Sequence, residues 1–126
     1  MGAVKKKILI AEDDEAIFEV IKGILEGEGY IIIAPRKEQM IHKIVGEELP
    51  DLILLDIWLS GQDGGKIAKE LKSKQETQSI PVIMMSANNE TEKIAQAAGA
   101  NGFLLKPFTI DELLSIVKTN TNIISH

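Results

Sequence analysis

The chain reads as an α/β domain built on a parallel sheet, and three observations lead there. Short β-branched apolar runs alternate five times with segments whose apolar residues recur at helical spacing, which separates a helix-covered sheet from bundles and sandwiches. The run Pro50-Asp51-Leu52-Ile53-Leu54-Leu55-Asp56 is apolar at consecutive positions, the pattern of a central strand covered on both faces. That run closes on a carboxylate, and others close on an acid pair, a hydroxyl and a lysine, so one rim of the predicted sheet collects polar chemistry. In an open parallel sheet, ligands bind just outside the carboxyl ends of the strands.

The first strand, Ile8-Leu9-Ile10-Ala11, runs into Glu12-Asp13-Asp14, and Lys5-Lys6-Lys7 before it reads as a solvated lead-in. Ile17, Val20, Ile21, Ile24 and Leu25 then predict a helix that dissolves in Gly27 and Gly29, with Asp14 and Glu15 as first-turn acids favoured by the helix dipole. Tyr30-Ile31-Ile32-Ile33-Ala34 is a strand stopped by Pro35, and Met40, Ile41, Ile44 and Val45 give a second helix ending near Gly46. The third strand is opened by Asp51 as a turn residue and closed by Asp56. A turn-rich loop, Ser60-Gly61-Gln62-Asp63-Gly64-Gly65, leads to a short third helix over Ile67, Ala68 and Leu71, with Asp63 as its cap.

Pro81-Val82-Ile83-Met84-Met85 is the fourth strand and runs into Ser86. Asn89 with Glu92 resembles a capping pair for a fourth helix ending at Gly99. Gly102-Phe103-Leu104-Leu105 is the fifth strand and runs into Lys106-Pro107, a candidate cis peptide. Thr109 and Glu112 form a fuller capping box, continued as the last helix by Ile110, Leu113, Leu114 and Val117. Beyond Lys118 the polar, β-branched residues are a poor helix continuation.

At 126 residues the chain is expected to be one domain, with a core over about 7–118 and a polar tail over 119–126. It has no cysteine, which excludes disulfides and thiolate metal sites. A net charge of −5 argues against direct nucleic-acid binding, which needs a basic stripe. No apolar run approaches the roughly 20 residues of a membrane span, and the amino terminus lacks the apolar region of a signal peptide, so the expected setting is cytoplasmic, off the membrane. His42 and His126 have no partners that make a triad and read as solvated.

Glu12 and Asp13, joined by Asp56 from a neighbouring strand, would bring three carboxylates together. Two such charges about 4 to 5 Å apart repel by roughly 3 to 4 kcal/mol at an effective dielectric near 20. A hard divalent cation removes that repulsion. Mg2+ takes few carboxylates, keeps several waters and bridges to phosphate oxygens, so it fits better than zinc or calcium. Lys106 would neutralise the remaining anion and Ser86 would offer a hydroxyl to a phosphoryl oxygen. Asp56 then has the profile of a carboxylate nucleophile that forms an aspartyl phosphate.

From Lys7 to Val117 the chain resembles the receiver domain of two-component response regulators, chemotaxis regulators among them. The motifs that carry the likeness are Ile-Leu-Ile-Ala-Glu12-Asp13-Asp14, Pro50-Asp51-Leu-Ile-Leu-Leu-Asp56, Pro81-Val-Ile-Met-Met-Ser86-Ala87 and Phe103-Leu-Leu-Lys106-Pro107-Phe108. The resemblance implies a flavodoxin-like, doubly wound (βα)5 sandwich with strand order 2-1-3-4-5. It implies that Asp56 accepts a phosphoryl group from a histidine kinase or histidine phosphotransfer protein, in a switch that assists its own phosphorylation and dephosphorylation and is no separate enzyme. It further implies Asp13 and Asp56 as direct magnesium ligands, Glu12 as a ligand through water, the Trp58 main-chain carbonyl completing the site, Ser86 receiving the phosphoryl group and Lys106 pairing with it. Phosphorylation would draw Ser86 inward, turn Phe103 and alter the surface of the fourth helix, fifth strand and fifth helix for a downstream partner or output domain, in a monomer or a phosphorylation-dependent dimer.

The chain departs from the family at Phe103, where tyrosine is common, at Ser60, where proline is common, and at the bulky Trp58, which is expected to overhang the pocket. Three rivals are weighed against the switch. A hydrolase of the haloacid-dehalogenase type needs a second acid two residues after the nucleophile, where Trp58 stands. A flavin carrier needs a phosphate loop rich in hydroxyls and glycine, where Glu12-Asp13-Asp14 stands. A degenerate receiver serving only as a scaffold would lack some of the chemical positions, and all are filled here.

Overall fold

The computed structural model describes residues 5–35, 41–59 and 61–121, so the expectations for residues 1–4, Met40, Ser60, Asn122 and His126 lie outside the described residues. The leucine- and isoleucine-rich runs form five strands, β1 (Lys7–Ala11), β2 (Ile31–Ile33), β3 (Leu52–Asp56), β4 (Val82–Ser86) and β5 (Gly102–Leu105). All pair in parallel in the order β2-β1-β3-β4-β5, the doubly wound arrangement expected. Five helices connect and follow them: α1 (Glu15–Gly27), α2 (Ile41–Glu48), α3 (Gly64–Ser73), α4 (Thr91–Ala98) and α5 (Ile110–Thr121).

Because side chains alternate along a strand, each strand feeds two cores. Ile8, Ile10, Leu52, Leu54, Ile83 and Met85 pack with Ile21 and Leu25 of α1 and Leu113 and Val117 of α5. Leu9, Ile53, Leu55, Val82 and Met84 pack on the other face with α2, α3 and α4. Every residue of β3 is buried, and each such leucine or isoleucine side chain contributes about 1.5–3 kcal/mol relative to exposure.

Several local expectations change. Val20 and Ile110, counted among the apolar residues at helical spacing, are 59 % and 57 % exposed, because the inward face of α1 centres on Ile21 and Leu25 and Ile110 opens the first turn of α5. Asp14 is the N-cap of α1, accepting from the Ile17 N–H. Asn88, not Asn89, organises the start of α4: its Oδ1 accepts from the Glu90 N–H at 2.7 Å and its carbonyl accepts from the Thr91 hydroxyl. The Thr109–Glu112 capping box forms in both directions, at 2.8 and 3.0 Å.

Lys7 is no solvated lead-in. Its N–H donates to Asp51 Oδ2 at 2.7 Å and its ammonium to the Glu48 carbonyl, tying β1 to the opening of β3. His42 likewise has a partner, with Nε2 at 2.9 Å from Glu70 Oε1 across α2 and α3. The last helix runs past Lys118 to Thr121, whose buried hydroxyl bonds the Val117 carbonyl and stands 3.2 Å from the Tyr30 hydroxyl. A short antiparallel pairing of Trp58–Leu59 with Gln62–Asp63 occupies the loop read as irregular. The Lys106–Pro107 peptide is cis.

Candidate functional site

Parallel pairing brings the carboxyl ends of β1, β3, β4 and β5 to one rim. Ala11 stands opposite Leu55, Asp56 opposite Met85, and Ser86 opposite Leu105, so the residues leaving each strand are neighbours. Lys106 is held beside Ser86 by its own N–H, which donates to the Ser86 carbonyl at 3.0 Å. From there its ammonium stands 2.5 Å from both Asp56 Oδ2 and Glu12 Oε1. Asp56 is only 6 % exposed, and its other oxygen, Oδ1, accepts from the Trp58 N–H at 2.9 Å. Glu12 Oε2 accepts from the Asp14 N–H at 3.0 Å.

Two carboxylates and one ammonium in a water-poor rim leave an uncompensated negative charge. Burial pushes the Glu12 carboxyl above its ordinary value, and the hydrogen bonds from Lys106 and Asp14 reverse this only in part. Burial pulls the Lys106 ammonium down, but its bonds to Asp56 and Glu12 outweigh that and hold it above the ordinary lysine value. Glu12 Oε1 is buried, with the Lys106 ammonium as its charged partner.

The other expected residues lie around this centre. Ser86 is buried, and its hydroxyl accepts from the Asn88 N–H at 3.0 Å. Asp13 is exposed and lines, with Glu12, Glu15 and Phe18, a cavity of about 280 Å3. Phe103 is half-buried against the core under α3 and α4. The Trp58 indole, expected to overhang the pocket, is 57 % exposed and lines a groove with Lys66, Lys69 and Ile94. Asp63 is the α3 cap, accepting from the Gly65 and Lys66 N–H groups.

The donor chemistry, all hard oxygen with more carboxylate than ammonium charge, fits a divalent cation such as Mg2+. Among the described residues no three acidic or histidine side chains converge in a metal-holding group: Glu12 and Asp56 meet at Lys106, and the expected convergence of three carboxylates with Asp13 is not seen. Sequence reasoning missed Gly64. A Cβ there would lie 2.1 Å from the Asp56 carbonyl oxygen, so only glycine lets α3 start this close to the site. The signal was the Gly64-Gly65 pair at a helix start, where glycine has no propensity reason to stand.

Fold and rim together define a doubly wound α/β domain whose carboxyl edge carries a buried acid paired with lysine. The chain belongs to the response regulator receiver domain family, whose model matches residues 8–118. It is 38 % identical over 117 residues to the phosphate regulon transcriptional regulatory protein PhoB of Pseudomonas aeruginosa, covering 91 % of this chain and 51 % of PhoB. The chain thus spans about half the length of that relative. Among solved structures it resembles the receiver domain of NtrX from Brucella abortus (29 % identity, TM-score 0.81, covering 91 % of this chain and 98 % of that one). It also resembles a CheY-like receiver domain protein of Methanospirillum hungatei (27 % identity, TM-score 0.84, covering 94 % and 95 %). No helix among the described residues is long and apolar enough to cross a membrane.

Proposed function

We propose that this chain is a single receiver domain, with its core over about 7–118, acting as a phosphorylation-controlled switch with Asp56 as phosphoacceptor. The observation that carries this reading is the Lys106 ammonium 2.5 Å from the buried strand-end carboxylate of Asp56 and from Glu12. An Asp56 oxygen attacks the phosphorus of a phosphohistidine on a histidine kinase or histidine phosphotransfer protein. The P–N bond breaks, and the imidazole leaves as the neutral base after taking a proton. Lys106 pairs with the phosphoryl oxygens, which moves its charge from Glu12 and Asp56 onto the new group, and the Ser86 hydroxyl turns from Asn88 to donate to a phosphoryl oxygen.

Mg2+, held directly by Asp13, Asp56 and the Trp58 main-chain carbonyl and through water by Glu12, would supply the positive charge that screens the approaching phosphoryl group. Movement of Ser86 opens space into which Phe103 follows, and the surface of α4, β5 and α5 changes for a downstream protein or an output domain. Phenylalanine keeps the steric part of such a switch without a hydroxyl. The setting is cytoplasmic, and the switch acts as a monomer or a phosphorylation-dependent dimer.

Incubation with acetyl phosphate and Mg2+, followed by mapping of the adduct by mass spectrometry, is expected to find one phosphoryl group, on Asp56. The same label persisting in Asp56→Asn would overturn the assignment.

A further inference from the structure

Between α3 and α4 runs a groove of about 410 Å3 with an apolar floor and a basic rim. Ile94, Ala97 and Ala98 of α4 make much of the floor, and Ala97 is exposed. Gly65 keeps the groove open, since a Cβ there would come within 3.1 Å of Ile94 Cγ2. Lys66 and Lys69, three residues apart and so on one face of α3, are both exposed. Among the described residues neither ammonium has an ion pair or a hydrogen bond. The two acids nearest in sequence are already committed, Asp63 to the α3 cap and Glu70 to His42.

At the end of the groove stands Trp58, 57 % exposed and the only tryptophan of the chain. What sets Lys66 and Lys69 apart is their place, beside an exposed indole and an apolar floor. Aromatic anchors such as tryptophan are where binding energy concentrates in protein interfaces, and charges at the rim select the partner.

We propose that this groove docks an acidic amphipathic helix of a partner protein. Its apolar residues at i, i+3 and i+4 seat on Ile94, Ala97 and Ala98, its carboxylates pair with Lys66 and Lys69, and its end covers the Trp58 indole. The small residues of the floor suit a helix, because they let a third helix axis approach two existing ones. Charge selects the partner: with a net charge of −5 on the chain, a long polyanion such as nucleic acid is repelled by the surrounding surface, while a short acidic face meets Lys66 and Lys69 against the single carboxylate of Asp63 in the groove lining. The groove is present in the unphosphorylated chain, which is the form that the test uses. It adjoins the buried acid through Trp58, whose N–H binds Asp56, and through Gly64, where α3 starts against the Asp56 backbone.

The test uses the unphosphorylated full chain and two short helical peptides with identical leucine and alanine positions, one flanked by glutamates and one by lysines. Nuclear magnetic resonance titration follows Lys66, Lys69, Ile94, Ala97 and the Trp58 indole. The glutamate peptide is expected to shift these signals and to bind about tenfold more tightly than the lysine peptide, and its affinity should fall about tenfold in Lys66→Glu/Lys69→Glu. Both lysines are exposed, so that variant should keep its unfolding midpoint, and Lys66→Gln/Lys69→Gln repeats the measurement without charge reversal. Absent or equal binding of the two peptides, shifts centred elsewhere, or affinity unchanged in both double variants would overturn the proposal. So would an oligonucleotide, or a second copy of the chain at high concentration, occupying the groove that the glutamate peptide leaves empty.

Discussion

Gly64 sets how closely the third helix approaches Asp56. A methyl group added there meets backbone on two sides, the Asp56 carbonyl oxygen at 2.1 Å and Ile57 Cα at 2.9 Å, and neither can swing away as a side chain would. Gly64→Ala is therefore expected to destabilise the fold by about 2–4 kcal/mol, measured by urea denaturation. A change below about 0.5 kcal/mol would mean that α3 shifts freely. Lys72 is a second residue whose surroundings decide its chemistry. Its ammonium donates to the Ile80 carbonyl and to Asn101 Oδ1, and burial lowers it below the ordinary value of 10.5. A neutral amine keeps both bonds, so the fold prefers the uncharged form. With the folded value depressed, stability from this group is present above the unfolded value and is lost as pH falls through the folded one. Relative to Lys72→Met, the wild type should thus gain stability between pH 7 and pH 10.5, and a pH-independent difference between the two proteins would show that burial of the charge is not what matters there.

At the scale of elements, helix ends are where local pattern and tertiary contact disagree. α5 was expected to stop near Lys118, but packing of Thr121 beside Tyr30 carries it one turn further. α2 was expected to end near Gly46 and continues to Glu48, after which Leu49 adopts φ +46. A left-handed conformation costs an ordinary L-residue roughly 1–2 kcal/mol, and asparagine tolerates it better. Leu49 is also 55 % exposed, so its side chain gives little packing in return. Leu49→Asn is expected to raise the unfolding free energy by about 0.5–1 kcal/mol with an unchanged urea m-value. A lower midpoint would reveal a packing role for this leucine.

For the whole molecule, the two cores meet at β3, which is flanked by β1 and β4 and covered on both faces. The edge strands are weaker: β2 has three residues, and Ile31 is 44 % exposed. Amide hydrogen exchange should accordingly be slowest at Ile53, Leu54 and Leu55, where exchange requires global unfolding, and fastest among strand amides in β2. Slower exchange in β2 than in β3 would contradict this distribution of stability. The same geometry makes the rim: with all five strands parallel, every carboxyl end points one way, and acids, hydroxyl and lysine distant in sequence become neighbours.

The sequence by itself determined the alternation of strands and helices, the burial of β3 and the identity of the acids, hydroxyl and lysine at the rim, because periodicity and strand-end chemistry are local. The glycine at residue 99 and the Thr109–Glu112 box were legible for the same reason, each being a pattern within a few residues. Only the tertiary structure decided that Lys106 bridges Glu12 and Asp56, that Gly64 lies against the Asp56 backbone, and that the Trp58 indole turns to the α3 and α4 groove. It also decided that Val20 and Ile110 face out and that His42 and Lys7 have partners. These depend on which atoms of remote segments reach the same few ångströms, and a linear pattern carries the type of each residue but not the distance between them.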